Sequence, residues 1–324
     1  MSPGEVVAVS LNTALDITYT VPHLMPDTSH RVTDVVTRAG GKGVNVARVL
    51  GRLGSDAVVL GLIGDDATGS DITAELAQAG VPARFVRVGG RTRRTVSVVA
   101  GPQATVLNEP GPHVTAAEWT AFQELFAGVV REARVVVLTG SRPPGVPVSA
   151  YADLAGIATA AGAEVLVDTE GPALRRALDT APAVAKPNAA EAAELIERPV
   201  RGHDDAVAAA QRLVDLGARA GVVSCGADGF VAVTAGASYR VRVPHPVTGN
   251  PTGAGDALAA VLAHGLARRV PLPDVLARAA AVSAAAVACP WAGGFDPDVA
   301  SRLLPEVIVR TTERKQDTCT SPPR

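Results

Sequence analysis

The sequence predicts an α/β fold, a three-layer sandwich in which a mostly parallel sheet is covered by helices on both faces. Short apolar strands alternate with helix-length segments along most of the chain, which is typical of such a sheet. Several of the helical segments are rich in alanine, which allows close packing of helices. The predicted strands are residues 6–11, 57–63, 135–139, 164–168, 183–186 and 221–224.

Eight segments have the length and the amphipathic or alanine-rich pattern of helices. They separate the strands from one another, so each strand can return parallel to its predecessor. The predicted helices are residues 44–53, 66–79, 116–132, 149–161, 190–197, 204–216, 256–268 and 273–289.

Two parts of the chain break this alternation. Residues 17–21 with 31–37, and 92–100 with 105–108, alternate apolar and polar side chains without an intervening helix. They are predicted to pair as a small antiparallel flap. We therefore predict one domain, residues 1–310, that carries flap segments at about 12–38 and 90–110. The polar tail, residues 311–324, is expected to be disordered.

Composition narrows the class of protein. The chain has 324 residues, 47% of them hydrophobic, and a net charge of −2, so it can bury a large core and is an unlikely partner of nucleic acid. No apolar run reaches the roughly 18 residues of a membrane span, and the start lacks a cationic signal peptide, so cytoplasm is the expected location. The three cysteines, Cys225, Cys289 and Cys319, are far apart and suggest neither a disulfide framework nor a zinc site.

The stretch 250–256, Asn-Pro-Thr-Gly-Ala-Gly-Asp, precedes a helix-forming run. A glycine turn that opens a helix leaves amides without acceptors, here those of Gly253, Ala254, Gly255 and Asp256, and so forms an anion site. Among these donors the carboxylate of Asp256 is expected to stay ionised at neutral pH and to act as the general base of phosphoryl transfer. The alternative is that Asp256 only caps the helix.

A second glycine turn, residues 40–48 with the sequence Gly-Gly-Lys-Gly-Val-Asn-Val-Ala-Arg, also leads into a helix. The two motifs, in this order and about two hundred residues apart, resemble the paired signatures of the ribokinase-like sugar kinases. The resemblance is to the PfkB branch that contains 1-phosphofructokinase and tagatose-6-phosphate kinase, and it covers residues 6 to about 305. It implies an enzyme that uses ATP and Mg²⁺, and it implies that the flap is a lid over the sugar, a kind of lid that often pairs two subunits into a homodimer.

On this resemblance, the sugar half of the site begins at the end of the first strand. Asp16 matches the residue that hydrogen-bonds sugar hydroxyls, although Thr13 stands where relatives usually have proline. From the second motif, Gly41, Lys42 and Asn45 are assigned to the same cavity. Without the resemblance, Asp16 could equally be a simple turn residue.

Arginines are expected to set the substrate. Arg93 matches the position that binds the non-reacting phosphate in relatives that use phosphorylated ketohexoses, and Arg31 is a second candidate. A guanidinium fork suits such a dianion, whereas Arg94, on the other strand face, is expected to be a solvated edge residue. The loop 141–145 resembles a family loop in which Arg142 replaces leucine, and Arg142 either contacts phosphate or points to solvent.

The nucleotide half contains one of only three lysines in the chain, Lys186, and it is expected to reach the phosphates of ATP. Asn188 and Glu191 match the family motif that positions Mg²⁺, while a helix-start asparagine is also an ordinary cap. A turn with glycines that let the backbone approach the nucleotide supplies the remaining assignments, Ser224, Gly226 and Gly229.

Other classes fit less well. The Gly-x-x-x-x-Gly-Lys-Ser/Thr loop of Walker-type nucleotidases and the Gly-x-Gly-x-x-Gly turn of dinucleotide dehydrogenases are both absent. A non-catalytic sugar sensor would be expected to have lost the base or the anion site. The prediction is therefore an ATP-dependent kinase of a phosphorylated ketohexose, fructose 1-phosphate first, with tagatose 6-phosphate or fructose 6-phosphate as the alternative. A kinase of a free sugar or nucleoside ranks lower.

Overall fold

A computed structural model describes residues 5–101, 103–245 and 247–313. It contains fourteen strands and ten α-helices among these residues. The strands are β1 (Val6–Ser10), β2 (Ala14–Thr20), β3 (Asp34–Gly40), β4 (Ala57–Gly64), β5 (Ala83–Val88), β6 (Arg93–Ala100), β7 (Gln103–Asn108), β8 (Val135–Thr139), β9 (Glu164–Asp168), β10 (Val184–Ala185), β11 (Ala220–Ser224), β12 (Phe230–Thr234), β13 (Ala237–Arg242) and β14 (Ile308–Glu313). The helices are α1 (Lys42–Arg52), α2 (Ala67–Gln78), α3 (Ala116–Val130), α4 (Ala150–Ala160), α5 (Gly171–Leu178), α6 (Ala189–Ile196), α7 (Gly202–Asp215), α8 (Ala254–Arg268), α9 (Leu272–Val287) and α10 (Pro297–Leu303).

Ten strands form one large sheet in the order β14-β13-β12-β11-β10-β9-β8-β1-β4-β5. The strands from β11 to β5 pair in parallel, and β12, β13 and β14 continue the sheet as antiparallel strands. The carboxyl ends of the parallel strands therefore lie along one edge, which is where ligands bind in sheets of this kind.

The core is divided by the sheet into two layers, as predicted. Alternate side chains of β1 face opposite sides, with Val6 and Ala8 in one apolar cluster and Val7 and Val9 in the other. Helices α1, α2, α8, α9 and α10 supply the first cluster, and α3 to α7 supply the second. The predicted three-layer fold is confirmed, and none of the helices among the described residues is long and apolar enough to cross a membrane.

The predicted flap is a separate sheet of four strands in the order β3-β2-β6-β7. Its two hairpins, β2 with β3 and β6 with β7, are antiparallel. The central pair corrects the prediction of an antiparallel flap, because β2 and β6 run parallel, with Ala14 opposite Arg93. Strand β2 follows β1 and strand β6 follows β5, so both enter the four-stranded sheet, which we call the lid from here on, in the same direction.

All eight predicted helices occur, and β8 and β9 have the predicted bounds. Strands β5, β13 and β14 were not predicted because they are only partly buried, and helices α5 and α10 were not predicted because each begins at Gly or Pro. Strand β14 also corrects the tail, since Thr311–Glu313 pair with β13 instead of being disordered. The rest of the predicted tail, 314–324, lies outside the described residues.

Candidate active site

The turn before α8 holds the predicted base at the carboxyl edge of the sheet. Gly253 has a positive φ of 90°, and a Cβ at this position would lie 2.9 Å from Ala292, so glycine is required. Asp256 lies in the first turn of α8 and is buried. Its Oδ2 accepts a 2.8 Å hydrogen bond from Nδ2 of Asn45 on α1. The two glycine motifs therefore meet at one carboxylate.

The electrostatics of Asp256 differ from the expectation that it stays ionised at neutral pH. Burial raises its pKa to about 7, and the negative charge of Asp168 adds to this rise, while Lys42, Lys186 and the hydrogen bond from Asn45 oppose it. Desolvation of a fully buried carboxylate outweighs the helix dipole here. A pKa near the working pH is nevertheless what a general base requires.

Four charged side chains form a network beside Asp256, which we call the charge cluster: Lys42, Asp168, Lys186 and Glu191. Oδ1 of Asp168 lies 3.3 Å from Nζ of Lys186 and 3.5 Å from Nζ of Lys42, which is also 3.6 Å from Oε1 of Glu191. Burial alone would raise the pKa of Asp168, but the two lysines lower it below its usual value. The carboxylate in turn raises the pKa of Lys42.

Asp168 was not among the predicted site residues. It is the last residue of β9, at the carboxyl edge of the sheet, and its side chain is almost completely buried. Two features of the sequence pointed to Asp168. It is a carboxylate at the end of a predicted parallel strand, and the two motif lysines, Lys42 and Lys186, would need a negative charge nearby if they were buried.

Asn188 and Glu191 form a capping box at the start of α6. Oδ1 of Asn188 accepts hydrogen bonds from the amides of Ala190 and Glu191, and Oε2 of Glu191 accepts one from the amide of Asn188. Oδ1 of Asn188 and Oε2 of Glu191 thus accept hydrogen bonds from the backbone. The other carboxylate oxygen of Glu191, Oε1, faces the charge cluster. No group of three or more metal-ligating His, Cys, Asp or Glu side chains occurs among the described residues.

The residues that were predicted to bind the sugar lie where β2 and β6 leave the core. Burial raises the pKa of Asp16 to about 6, opposed by Arg93, the Gly41 amide and Thr95. Gly40 is required here, because a Cβ at this position would collide with the carboxyl group of Asp16. The guanidinium of Arg93 donates from Nε to the carbonyl of Asn12 at 2.7 Å and from Nη1 to Thr95 at 3.2 Å.

One cavity of about 810 Å³ joins these parts. Its walls include Asp16 and Arg93 at the lid, the turn 253–256, and Ser224, Gly226 and Gly229 at the far end. Further lining comes from four residues of α9, Ala280, Ser283, Ala284 and Val287. Asp256 also lines this cavity, whose volume is in the range of small-molecule binding sites.

A second cavity of about 620 Å³ opens beside Lys42 and Arg93 and is walled by the loop 141–145. Arg142 lines it, with Nη1 hydrogen-bonded to the carbonyl of Val146. Arg31 is not brought to either of these cavities: it precedes β3 and is exposed to solvent. The other predicted substrate residues, Asp16, Gly41, Lys42, Asn45 and Arg93, all line the larger cavity.

Comparison with known proteins identifies one protein family over almost the whole chain. The sequence pattern described as "pfkB family carbohydrate kinase" matches residues 5–298. The structure of phosphofructokinase-2 from Escherichia coli in complex with fructose 6-phosphate is 28% identical, with a TM-score of 0.84 over 93% of this chain and 98% of that one.

Two further structures share the fold at lower identity. A protein of Thermotoga maritima, described as a possible 1-phosphofructokinase, is 24% identical with a TM-score of 0.84 over 95% of this chain and 99% of that one. A ribokinase of Arabidopsis thaliana, complexed with ribose and ATP, is 22% identical with a TM-score of 0.72 over 94% of this chain and 99% of that one.

Proposed function

The chain belongs to the pfkB family of carbohydrate kinases and is a phosphotransferase, and we propose that it transfers the γ-phosphoryl group of ATP to a phosphorylated ketohexose. Fructose 1-phosphate is the first choice of acceptor, and tagatose 6-phosphate or fructose 6-phosphate is the alternative. The complex of the E. coli relative with fructose 6-phosphate supports the class of acceptor. Cytoplasm stays the expected location of such a metabolic kinase.

The observation that carries this proposal is the position of Asp256 between the lid and the charge cluster, held by Asn45 at 2.8 Å. Asp256 removes the proton of the attacking hydroxyl, the hydroxyl oxygen forms a bond to the γ-phosphorus, and the bond from that phosphorus to ADP breaks with its electrons leaving on ADP. The proton ends on Asp256. The amides of Gly253, Gly255 and Asp256 would stabilise the negative charge that develops, whereas the Ala254 amide, contrary to the sequence prediction, donates to the carbonyl of Pro251 at 3.3 Å.

The residues of the charge cluster fit a phosphate chain with Mg²⁺. Lys186 is buried and lies close to Gly255, whose position would place a Cβ only 3.7 Å from Nζ, so its ammonium is directed towards the turn. Glu191 presents Oε1 to the cluster, and Oδ1 of Asp168 is buried without a hydrogen-bond donor of ordinary geometry. Glu191 would hold the metal and its waters, with Asn188 acting through the capping box; bound Mg²⁺ neutralises phosphate charge.

Arg93 favours a phosphorylated acceptor over a free sugar. Its hydrogen bonds to Asn12 and Thr95 fix the guanidinium in the wall shared by both cavities. A fixed guanidinium loses little entropy when it binds a phosphate dianion. Arg31, exposed and away from these cavities, stays a weaker prediction. A free-sugar kinase or a non-catalytic sensor has no comparable observation in its favour.

The test is an ADP-release assay of the wild type across fructose 1-phosphate, tagatose 6-phosphate, fructose 6-phosphate, fructose and ribose. Arg93→Ala should weaken binding of the phosphorylated acceptor by about 2 to 4 kcal/mol, the scale of truncating one member of a buried charge pair. This loss should appear mainly in KM, because a non-reacting phosphate is bound equally in ground and transition states.

Arg94→Ala is the matched control, because Arg94 is the neighbouring arginine on the same strand and lines neither cavity. It should leave KM for the sugar phosphate within about twofold. A wild type that prefers a free sugar, or an Arg93→Ala enzyme that loses activity equally on free and phosphorylated sugars, would replace the proposal with a ribokinase-like role.

A homodimer through the lid stays part of the proposal. Val35 on β3 and Leu107 on β7 are 55% and 59% exposed. They lie on the two outer strands of the lid sheet. An apolar side chain at each edge of a small sheet is consistent with a surface that a second lid covers.

A further inference from the structure

The segment 288–296, between α9 and α10, contacts the catalytic turn directly. We call it the α9–α10 segment. The carbonyl of Pro290 accepts a 3.0 Å hydrogen bond from Nδ2 of Asn250, and Oδ1 of the same asparagine accepts one from the amide of Thr252. Ala292 lies against the turn at Gly253 and would be 2.9 Å from a Cβ there. The position of this segment therefore fixes where the turn begins.

The same segment contacts the residue that holds the base. A Cβ at Gly293 would lie 2.8 Å from Oδ1 of Asn45 and 3.0 Å from Cδ of Arg48, so the backbone at Gly293 lies directly against both side chains. Because Nδ2 of Asn45 donates to Asp256, a shift of Gly293 would be transmitted to the carboxylate through one side chain.

Trp291 connects the α9–α10 segment to the lid. The guanidinium of Arg38 lies over its ring at 5.2 Å from the ring centre. Arg38 is near the end of β3, where it is paired with Asp16 on β2. Burial and the positive charge of Arg48 lower the pKa of Arg38, and among the described residues no carboxylate forms a salt bridge with it. The face of the indole is therefore the favourable partner of this cation.

We propose that Arg38 and Trp291 are positioning residues for phosphoryl transfer. Their contact joins β3, which pairs with the strand of Asp16, to the α9–α10 segment. That segment positions Asn45, and Asn45 positions Asp256. The inference rests on the proposed function for its role in turnover. Neither residue lines the two cavities described above, so each acts through others. Through this contact, binding of a sugar at Asp16 affects the position of the Asp256 carboxylate.

The experiment compares Arg38→Gln, Trp291→Leu and the double variant with Arg38→Lys and Trp291→Phe. The first two should each lower kcat about threefold to thirtyfold, the range of one cation–π contact, with KM for both substrates within about twofold. The double variant should be no slower than the worse single variant, because both remove the same contact. Lysine and phenylalanine keep a cation and an aromatic face and should recover most of the rate.

Arg84→Gln, at an exposed position of β5, is the matched control and should leave kcat unchanged. Rate losses that multiply in the double variant, equal changes in kcat and KM, or no recovery with lysine and phenylalanine would each overturn the proposal.

A second measurement does not depend on turnover. Hydrogen exchange of the amides in peptides covering residues 250–258 should be faster in Arg38→Gln than in the wild type, while peptides of α3 exchange equally. A wild type inactive on every sugar would refute the proposed function alone, and unchanged exchange at 250–258 would then refute the positioning contact. Faster exchange confined to that turn would support it.

Discussion

The carboxylates on the two sides of the larger cavity have pKa values shifted in opposite directions. On the side proposed to bind the nucleotide, Asp168 is buried against two lysines, which lower its pKa. On the side proposed to bind the sugar, Asp16 is half-buried and Asp256 is buried, and burial raises their pKa values to about 6 and about 7. Asp168 and Asp256 are both buried and both interact with Lys42, so the difference between their pKa values comes from the additional counter-charge at Asp168.

This difference separates two kinds of work. A carboxylate with a lowered pKa keeps its charge through the physiological range and serves as a fixed electrostatic element. A carboxylate with a pKa near 7 can accept a proton and release it again, as a general base must. The contrast predicts that the same chemical change, Asp to Asn, has different consequences on the two sides.

Asp256→Asn should have the largest effect. Loss of the base should lower kcat by about 10² to 10⁴-fold, with KM for both substrates little changed. Thermal unfolding should show no loss of stability at pH 8, because folding disfavours the ionised form of this carboxylate and asparagine removes that charge. Near-normal turnover would show that Asp256 is not the base; the alternative that it caps the helix is already unsupported, because Gly253 is the N-cap residue and no side chain caps α8.

Asp168→Asn should instead act on stability. It leaves the buried Lys186 without its counter-charge, and breaking a buried pair in this way costs about 3 kcal/mol of the free energy of unfolding. Asp179→Asn is the control, since its pair with Arg175 is exposed and should be worth well under 1 kcal/mol. Equal unfolding free energies for the two variants in urea titrations would erase the distinction drawn here.

Glu191→Gln tests the metal side with a milder change. Glutamine can still complete the capping box, so the fold should be kept, but the carboxylate that faces the charge cluster is lost. The Mg²⁺ concentration for half-maximal rate should rise about tenfold at saturating ATP and sugar. Glu194→Gln, exposed on the same helix, should leave the titration unchanged.

The dependence of kcat on pH should show the smallest effect, and it tests the ionisation of Asp256 directly. Asp256 must be ionised to act, so a pKa raised to about 7 predicts that kcat falls as the pH drops through about 7, instead of near 4. Asp168→Asn should move this limb to lower pH, because it removes a negative charge that raises the pKa of Asp256 while Lys42 and Lys186 remain. A limb that does not move would show that the two sides are electrostatically independent.

The sequence was informative wherever a pattern was long or a motif was complete. The alternation of strands and helices predicted both layers and the parallel sheet, and the two glycine turns predicted Asp256 and Asn45 at one site. Edge strands such as β5 and β14 were missed, because their partly exposed side chains show little periodicity in the sequence.

Other contacts between residues that are far apart in the chain could not be predicted from the sequence. Asp168 lies far along the chain from Lys42, and only folding brings them within 3.5 Å. The parallel pairing of β2 with β6 follows from where each strand leaves the large sheet, which local alternation does not encode. Burial of Asp256 likewise depends on the whole fold, so its raised pKa could not be inferred from the turn and helix alone.

That parallel pair also orders events during synthesis. When β2 and β3 have left the ribosome, the inner edge of β2 has no partner until β4, α2 and β5 have been made and β6 emerges. The lid is therefore a late-assembling part whose nascent hairpin offers an open edge to other chains. Because its closing contact is non-local, completion of the lid should be a slow step in the maturation of this enzyme.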